Sequence, residues 1–324
     1  MIGIAKQINE QLKKSRKVMI VPHQNPDGDA LGSAGAMREY IETLGIPTVI
    51  FCATAVSERW QFMPHARLVT NDTKHFLDKE IDTIVILDSG DLHYAGVDVL
   101  IKNHPAQIIN IDHHQTNTHY GHLNLAVPSA SATAEIIYYF LQHNKANLTP
   151  KIGTTLLTGI ITDTDNFTNS ATTTAAILVA GELLRAGANL NLINNHTVRN
   201  KTLSGLRLWG AALSRLTNHA ETGITHTYIT QADLLAHNAT IIEAEGVSNF
   251  LNHLDDNKIA LVLTEISEEK FKGSMRTTRD EIDVAAIAKA LGGGGHKKAA
   301  GFTVDGTIEQ VLERVLQLAK KMIG

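Results

Sequence analysis

KVMIVPHQNPDGDALGSAGAMREYIETLG, residues 17–45, contains a short β-branched apolar run, a polar turn, and a stretch with small and apolar residues at helical spacing. We predict a strand at Lys17–Val21 and a helix at Ala30–Thr43, because Leu44-Gly45 is a typical helix stop. A second apolar run, Thr48–Cys52, follows. A strand, a helix and a strand in this order predict a right-handed crossover unit of a parallel sheet.

The same pattern continues through the first half of the chain. We predict two more strands at Thr83–Leu87 and Gln107–Ile111, where β-branched apolar residues cluster. Helical spacing then predicts helices at Ala132–Leu141, Lys151–Thr162 and Thr172–Ala186. The fold class is therefore α/β, with an N-terminal parallel-sheet domain that has crossover helices.

A polar, Asn-rich stretch at Asn189–Lys201 interrupts the hydrophobic pattern, and a helix is predicted at Leu203–Leu216. We therefore divide the chain into a domain at 1–188, a linker with a helix at 189–220, and a smaller α/β domain at 221–324. The predicted strands of the second domain are Ile224–Thr230, Ile259–Ile266, Phe271–Arg276 and Gly301–Val304. Its predicted helices lie near Gln231–Leu254, at Asp283–Leu291 and at Ile308–Met322.

Composition limits the function classes. The 324 residues are 43% hydrophobic, and no apolar stretch resembles a secretion signal or reaches membrane-spanning length. The single cysteine, Cys52, cannot form an intramolecular disulfide, so we expect a cytoplasmic protein. A net charge of -4 argues against binding of long duplex nucleic acid but allows small phosphorylated substrates. Most of the 16 histidines, His65 among them, lie in polar surroundings and are expected at the surface.

Four groups of acidic and histidine residues lie where predicted elements end. They are His23 with Asp27 and Asp29, then Asp88, then Asp112-His113-His114, and finally Asp163. Three of these groups follow predicted strands, and open α/β sheets build their sites at the carboxyl ends of parallel strands. Carboxylate and imidazole donors without a thiolate suit divalent cations that act on phosphate, such as manganese or magnesium. The pattern predicts a two-metal hydrolase site.

Each group also has a simpler interpretation. Residues 25–28 form a good turn sequence and Asp29 could be only a helix N-cap, although neither explains His23. Asp88 could cap a turn, and Asp91 is a weaker candidate for its role; we favour Asp88 as a carboxylate that bridges two cations.

Spacing leaves further alternatives open. Asp165 is a rival of Asp163, and spacing does not show which imidazole of His113 and His114 coordinates a metal. In our interpretation one of them does so, the other meets the substrate phosphate, and Asp112 orients the site.

The glycine run Gly292–Gly295 precedes His296, Lys297 and Lys298. Successive glycines allow a close approach of the backbone and present N–H groups to phosphate, and the following side chains add donors. We therefore interpret this segment as a ligand loop, and the alternative is a flexible connection between a helix and a strand.

In chain order, these motifs resemble the DHH phosphoesterase superfamily with its DHH-associated C-terminal domain. The resemblance rests on His23-x-x-Pro26-Asp27-Gly28-Asp29-Ala30, Asp88, Asp112-His113-His114, Gly159-x-x-x-Asp163-Thr164 and Gly293-Gly294-Gly295-His296-x-x-Ala299-Ala300-Gly301-Phe302. It spans nearly the whole chain. The compact two-domain layout is most similar to the bacterial nanoRNase and 3′-phosphoadenosine 5′-phosphate phosphatase group.

The resemblance implies roles for individual residues. One manganese would be bound by His23, Asp27 and Asp88, and the other by Asp29, Asp88, His113 and Asp163, with Mg²⁺ or Co²⁺ as substitutes. His114 would face the substrate phosphate and, with Asp88 and Asp112, form the catalytic set. Substrate would be held by Arg276, Gly293, Gly294, Gly295 and His296. The preference for Asp163 over Asp165, and for His113 as the metal ligand, comes from the resemblance alone.

Two positions in the predicted substrate-binding segments depart slightly from the family pattern. Thr277 stands where a serine commonly follows the arginine, and an extra glycine, Gly292, precedes the loop. Neither change removes a charge or a ligand.

The expected activity is hydrolysis of short oligoribonucleotides to nucleoside monophosphates, and of 3′-phosphoadenosine 5′-phosphate to AMP. One alternative is a phosphodiesterase of cyclic di-adenosine monophosphate or linear dinucleotides. A pyrophosphatase fits less well, because the glycine loop is of the nucleotide type. A catalytically inactive nucleotide-binding module is the alternative of another class, and the complete set of six metal-binding side chains favours activity. The sequence leaves the oligomeric state open, a homodimer included.

Overall fold

The computed structural model describes residues 2–254 and 257–323, without the side chains of His296 and Ile323. The chain forms two compact units, of which the first ends at Arg199 and the second begins at Asn200. The predicted linker at 189–220 is therefore divided between the two units.

Among its described residues, the first unit contains six strands and seven α-helices. The strands are β1 (Lys17–Pro22), β2 (Thr48–Phe51), β3 (Val69–Thr70), β4 (Ile81–Leu87), β5 (Gln107–Asp112) and β6 (Leu123–Ala126). The helices are α1 (Ile2–Lys14), α2 (Gly28–Thr43), α3 (Asp98–Ile101), α4 (Thr133–His143), α5 (Pro150–Asp163), α6 (Thr174–Arg185) and α7 (Leu190–Thr197). The four strands predicted for this region are confirmed as β1, β2, β4 and β5.

The strands of this unit form one sheet in the order β3-β2-β1-β4-β5-β6, and every neighbouring pair is parallel. Apolar clusters cover both faces. In β4, Ile84 and Ile86 belong to one cluster, and Val85 and Leu87 to the other. Burial on both faces explains why the strand is a continuous apolar run in the sequence. The predicted α/β class with a parallel N-terminal sheet is confirmed.

Close packing of α2 on α5 depends on two glycines. A Cβ atom on Gly32 would lie 2.5 Å from the carbonyl oxygen of Thr155, and one on Gly159 would lie 2.6 Å from an Asp29 carboxylate oxygen. Neither position can accept a side chain without displacement of backbone or of a site carboxylate. The close approach places the first turn of α2 beside α5, and so brings Asp29 towards Asp163.

The described part of the second unit contains a mixed sheet and five α-helices. Its strands are β7 (Thr217–His219), β8 (Ile224–Ile229), β9 (Ile259–Ser267), β10 (Lys270–Arg276), β11 (Gly294–His296) and β12 (Ala299–Asp305). Its helices are α8 (Leu203–Leu213), α9 (Gln231–Ala236), α10 (Val247–Leu251), α11 (Val284–Ala290) and α12 (Ile308–Ile323). The sheet order is β11-β12-β10-β9-β8-β7, in which only β8 and β9 pair in parallel among the described strands.

Two predictions for the second unit change in detail. The helical region near Gln231–Leu254 is divided into α9, a 3₁₀ turn at Ile241–Ala244 and α10, because Asn238 after α9 and Gly246 before α10 adopt left-handed backbone angles that a continuous helix does not contain. The segment predicted as a loop at Gly292–Gly295 instead contributes Gly294 and Gly295 to the edge strand β11.

Within the described residues, no single helix is both long and apolar enough to cross a membrane. Helices α6 and α7 pass that test only as a pair, and the pair is bent by 120°.

Candidate active site

His23 and Asp27 follow the end of β1. The Asp27 Oδ1 atom caps α2, since it accepts hydrogen bonds from the backbone N–H groups of Asp29 at 2.9 Å and Ala30 at 3.0 Å. The capping role considered for Asp29 therefore belongs to Asp27. The Nε2 atom of His23 lies 3.8 Å from Asp27 Oδ1 and 3.5 Å from Asp88 Oδ2.

Asp29 is fully buried in the first turn of α2. Its carboxylate accepts hydrogen bonds from the backbone N–H groups of Thr133 at 2.6 Å and Ala134 at 2.8 Å. These groups begin α4, whose N-cap residue, Ala132, has no side-chain oxygen. Asp29 thus caps a helix that begins about a hundred residues later, and this contact fixes the direction of its carboxylate.

Asp88 comes directly after β4 and lies at the centre of the site. It is 2% exposed and adopts a left-handed backbone angle of 57°, which is uncommon for a residue with a side chain. Its N–H donates to the carbonyl of Ile111 at 3.0 Å, and the hydroxyl of Thr133 donates to its Oδ1 atom at 2.9 Å. Backbone and side chain are therefore both held in one position.

His113 contacts two site carboxylates with one nitrogen. Its Nε2 atom lies 3.2 Å from Asp163 Oδ2 and 3.6 Å from Asp88 Oδ1. Its Nδ1 atom lies 3.3 Å from the carbonyl oxygen of Ala130. A proton on Nδ1 would satisfy that carbonyl and leave the Nε2 lone pair for a metal, which is the common arrangement for metal-binding histidines.

His114 is oriented differently, towards Asp112. The His114 Nδ1 atom lies 2.6 Å from Asp112 Oδ1, and the other oxygen of Asp112 accepts a hydrogen bond from Asn117 at 2.6 Å. Burial alone would lower the pKa of His114, but the hydrogen bond to Asp112 and the charge of Asp88 raise it. Asp112 itself is fully buried, so its main contact with the site is through His114.

Asp163 is the last residue of α5 and lies beside His113 and Asp29. Burial raises the pKa of Asp163 well above its usual value, and the charges of Asp29, Asp27 and Asp88 add to the effect. Its rival, Asp165, lies in a turn beyond the helix and joins none of the metal-type clusters found in the described residues.

The other rival, Asp91, caps a turn rather than facing the site. One of its carboxylate oxygens accepts a hydrogen bond from the N–H of Tyr94 at 2.7 Å.

Three overlapping groups of donors result, and within each the ligand atoms lie within 4.8 Å of one another. They are His23, Asp27 and Asp88; Asp29, His113 and Asp163; and Asp88, His113 and His114. The structure thus brings together all seven residues predicted for the metals and the phosphate, with Asp112 behind them.

The charge of this cluster fits divalent cations. Burial raises the pKa of Asp29 well above its usual value, and the nearby charges of Asp88 and Asp27 raise it further. Burial alone would lower the pKa of His23, but contact with Asp27 and the charges of Asp27 and Asp88 raise it to about 9. Closely placed carboxylates of this kind repel one another, and cations with oxygen and nitrogen ligands would remove that repulsion. The residues present therefore fit a two-metal centre.

Two neighbours of the cluster were not predicted from the sequence. Thr133 links Asp88 to the start of α4, and the ring of Tyr94 lies 4.8 Å from that of His23 between centroids. Burial raises the pKa of Tyr94, and the charge of Asp88 adds to the effect. A threonine at the predicted start of a helix is the one signal that could have indicated Thr133, whereas Tyr94 lies in a loop without a pattern.

The second unit contains the residues predicted to bind substrate. Arg276 ends β10, where its Nε atom donates to Asn249 Oδ1 at 2.9 Å and its Nη1 atom donates to the carbonyl of Met275 at 2.9 Å. The side chain of His296 lies outside the described part of the structure.

The predicted glycines differ in what surrounds them. A Cβ atom on Gly293 would lie 2.1 Å from the carbonyl oxygen of Gly301, and Gly295 has a left-handed angle of 138°. Both glycines are therefore required by the packing of β11 on β12. A Cβ atom on Gly294 would meet no described atom within 4 Å, so this glycine borders open space.

Comparison with known proteins supports the resemblance over both units. Residues 17–160 match the N-terminal domain of the DHH family, and residues 225–324 match the DHHA1 domain. A bifunctional oligoribonuclease and PAP phosphatase NrnA from Thermus thermophilus is 31% identical over 94% of this chain and 89% of its own. A probable enzyme of the same name from Streptococcus mutans is 26% identical over 91% of this chain and 92% of its own.

A solved structure shows the same fold. An exopolyphosphatase-related protein from Bacteroides fragilis superimposes with a TM-score of 0.91, covers 98% of this chain and 96% of its own, and is 22% identical. The motifs, the fold and the sequence similarity agree along the chain. This chain therefore belongs to the DHH family of metal-dependent phosphoesterases, in the NrnA group with a DHHA1 domain.

Proposed function

We propose that this chain hydrolyses short oligoribonucleotides to nucleoside monophosphates and 3′-phosphoadenosine 5′-phosphate to AMP, with two manganese ions. The observation that carries the proposal is the position of Asp88, which takes part in two donor groups at the carboxyl edge of a parallel sheet. A carboxylate shared in this way is the arrangement by which proteins hold two cations about 3.5–4 Å apart.

The two ions would be held by separate sets of ligands that share Asp88. The first set is His23, Asp27 and Asp88, and the second is Asp29, Asp88, His113 and Asp163. When bound, such cations lower the pKa of water and neutralise phosphate oxygens, so no side-chain nucleophile is required. Imidazole suits manganese better than magnesium, and the nitrogen donors of His23 and His113 therefore favour manganese.

The protein prepares this site through contacts made before substrate arrives. Thr133 holds one oxygen of Asp88 in place, and the N-terminus of α4 fixes the carboxylate of Asp29. The Nδ1–H of His114 donates to Asp112, and this contact and the charge of Asp88 raise the pKa of His114, so its imidazolium form would donate a hydrogen bond from Nε2 to a phosphate oxygen. This fixed arrangement means that the chain does not have to reorganise these groups during the reaction.

The substrate class comes from the relatives and from the second unit. The names of the NrnA relatives give oligoribonucleotides and PAP as their substrates. In this chain, Arg276 carries the positive charge for a nucleotide phosphate, and Gly294 gives a ligand access to the backbone of β11. We infer that these groups, with His296, hold the nucleotide end of the substrate.

The test is chromatography of products from manganese-loaded protein in three parallel reactions. The substrates are a 5′-phosphorylated RNA dinucleotide, 3′-phosphoadenosine 5′-phosphate and cyclic di-adenosine monophosphate, and the control is Asp88→Asn. The proposal expects nucleoside monophosphates from the first two substrates and none from the control. Turnover of the cyclic compound alone would assign the chain to its degradation. Absence of turnover in all three would contradict catalysis on these substrates and favour a binding role.

A further inference from the structure

Tyr94 is a partly exposed aromatic residue beside the donor cluster, and the mechanism proposed above gives it no role. Its ring centroid lies 4.8 Å from that of His23 and 6.0 Å from that of His114. His23 belongs to the first donor set, and His114 is the side chain proposed to contact the substrate phosphate. The ring of Tyr94 therefore lies beside both a candidate metal ligand and a candidate phosphate contact.

Hydrogen bonds fix the loop that carries Tyr94. The N–H of Tyr94 donates to Asp91 Oδ1 at 2.7 Å, and the hydroxyl of Ser89 donates to the carbonyl of Asp91 at 2.7 Å. The N–H of Gln24, in the segment after β1, donates to the carbonyl of Tyr94 at 3.3 Å. The next residue in the loop, Ala95, is fully buried. Contacts with the segments that follow β4 and β1 therefore hold Tyr94 in place before a ligand arrives.

The hydroxyl group of Tyr94 faces the donor cluster. The residue is 42% exposed, yet burial raises the pKa of Tyr94, and the charges of Asp88 and Asp27 add to the effect. Both causes act on the phenolic oxygen, so the hydroxyl end of the ring lies towards the carboxylates. Within the described part of the chain, this hydroxyl has no hydrogen-bond partner. Its O–H is therefore free to donate to an acceptor that a ligand brings.

A phosphate oxygen is the acceptor that this position suits. In the proposed mechanism the scissile phosphate lies against the two cations and His114. Tyr94 and His114 contact each other edge to face, with 63° between the ring planes, so a phosphate at His114 is also beside Tyr94. A neutral O–H can donate a charge-assisted hydrogen bond to a phosphate oxygen, and it adds no positive charge that would repel the cations.

We propose that the Tyr94 hydroxyl donates a hydrogen bond to a non-bridging oxygen of the scissile phosphate. The inference rests on the proposed function and adds a protein donor to the two cations and His114. A scissile phosphate is present in short RNA and in 3′-phosphoadenosine 5′-phosphate alike. The contact therefore serves both substrates equally.

The test is steady-state kinetics of Tyr94→Phe, which removes the hydroxyl and keeps the ring. The kcat/KM should fall about 10- to 100-fold for a 5′-phosphorylated RNA dinucleotide and for 3′-phosphoadenosine 5′-phosphate, the loss expected for one hydrogen bond to a charged group. The number of manganese ions bound and the midpoint of thermal unfolding should stay those of the wild type, because the ring still packs on His23.

Tyr139→Phe is the matched control. Tyr139 is 36% exposed on α4 and belongs to none of the donor groups in the described residues. Loss of its hydroxyl should leave kcat/KM unchanged for both substrates.

Three results would overturn the inference while the proposed function stands. Wild-type kcat/KM in Tyr94→Phe, together with a loss in Tyr94→Leu, would show that only the packing of the ring on His23 matters. A loss confined to the RNA dinucleotide would assign Tyr94 to a nucleobase rather than to the phosphate. Loss of manganese by Tyr94→Phe would make Tyr94 a support of the metal centre.

A binding measurement separates this inference from the proposed function. If the wild-type chain cleaves neither substrate, the proposed function fails, and calorimetric titration of manganese-loaded protein with inorganic phosphate then decides about Tyr94. Binding that is about tenfold weaker in Tyr94→Phe than in the wild type supports the contact. Equal binding by the two proteins, or no phosphate binding by the wild type, contradicts it.

Discussion

The two units hold their candidate functional groups in different ways. In the first unit, Asp29 and Asp88 are buried and receive hydrogen bonds from the start of α4. In the second, Arg276 is half-buried at the end of a strand, and Gly294 lies in an edge strand. Buried, fixed carboxylates suit the chemical step, whereas accessible groups on a sheet edge suit binding. Substitutions should therefore lower kcat in the first unit and raise KM in the second.

Sheet topology explains the difference. All six strands of the first unit run in parallel, so β1, β4 and β5 end at the same edge and place His23, Asp88 and Asp112 side by side. The second sheet is largely antiparallel, and its strand ends do not collect at one edge. Its candidate binding groups lie instead where β10 ends and along β11.

The largest predicted effect is a fall in kcat, and it should occur for only one of two aspartates that are two residues apart, Asp163 and Asp165. Asp163→Asn removes a carboxylate from the donor cluster, and we expect kcat to fall roughly a thousandfold or more. Asp165→Asn is the matched control, because Asp165 lies outside the clusters, and it should keep most activity. Steady-state kinetics on the RNA dinucleotide would measure both. Similar kcat values for the two variants would contradict the assignment of Asp163.

A smaller loss should follow from Asp112→Asn. In the proposed mechanism Asp112 acts through His114, which it contacts at 2.6 Å, and groups that orient functional histidines typically contribute about 10- to 100-fold. We expect kcat to fall by that amount, with manganese affinity little changed, since Asp112 belongs to none of the donor groups in the described residues. A loss of manganese binding, measured by equilibrium dialysis, would instead make Asp112 part of the metal centre.

The stability of the second unit should depend on an ion pair away from the site. Arg215 donates to both oxygens of Asp233, at 2.5 and 2.6 Å. The hydrogen bond from Arg215 holds the pKa of Asp233 well below its usual value, although burial opposes the shift. Asp233→Asn should therefore cost about 2 kcal/mol of unfolding free energy at neutral pH.

The sign of the pH dependence follows from that lowered pKa. A carboxyl group whose pKa is lower in the folded state stabilises the fold fully above its unfolded-state pKa of about 4. This stabilisation decreases as the pH falls from about 4 towards the folded-state pKa. Denaturation curves should therefore show the difference between wild type and Asp233→Asn shrinking below about pH 4. Asp280→Asn, whose carboxylate is 96% exposed, is the control and should unfold like the wild type at every pH. A difference that grows in acid would contradict this account.

The smallest predicted effect is a change in the KM of the Arg276→Gln variant. Arg276→Gln removes the charge that we propose contacts a nucleotide phosphate, so we expect KM for 3′-phosphoadenosine 5′-phosphate to rise about tenfold with kcat retained. Arg314→Gln, at an exposed position of α12, should leave KM unchanged. If Arg276→Gln instead lowered kcat with KM unchanged, the contrast between the two units would be wrong.

Much of the first unit could be predicted from the sequence, because its determinants are local. Buried parallel strands are continuous apolar runs, as in Thr83–Leu87, and polar residues directly after them mark the carboxyl edge. The short strands β3 and β6 were not predicted, because the two residues of β3 give no period and β6, Leu123–Ala126, lacks the β-branched residues that mark the predicted strands. Helix α7 was also not predicted, because its sequence is largely polar and Ile193 is its one buried residue.

Other features depend on contacts between distant residues and have no local signal. The capping of α4 by Asp29 joins residues more than a hundred positions apart. His65 was expected at the surface, and this prediction is wrong, because its side chain is 6% exposed and lies 3.1 Å from Glu39. The cytoplasmic location and the oligomeric state stay predictions.

The central claim is that Asp88 joins two metal sites, and the manganese stoichiometry of the wild-type chain and of Asp88→Asn tests it most directly. Equilibrium dialysis followed by elemental analysis measures the number of ions bound per chain. The account predicts two for wild type and loss of tight binding at both sites for Asp88→Asn, while Asp165→Asn keeps two. A wild-type chain that binds a single ion, or an Asp88→Asn chain that still binds two with wild-type affinity, would contradict it.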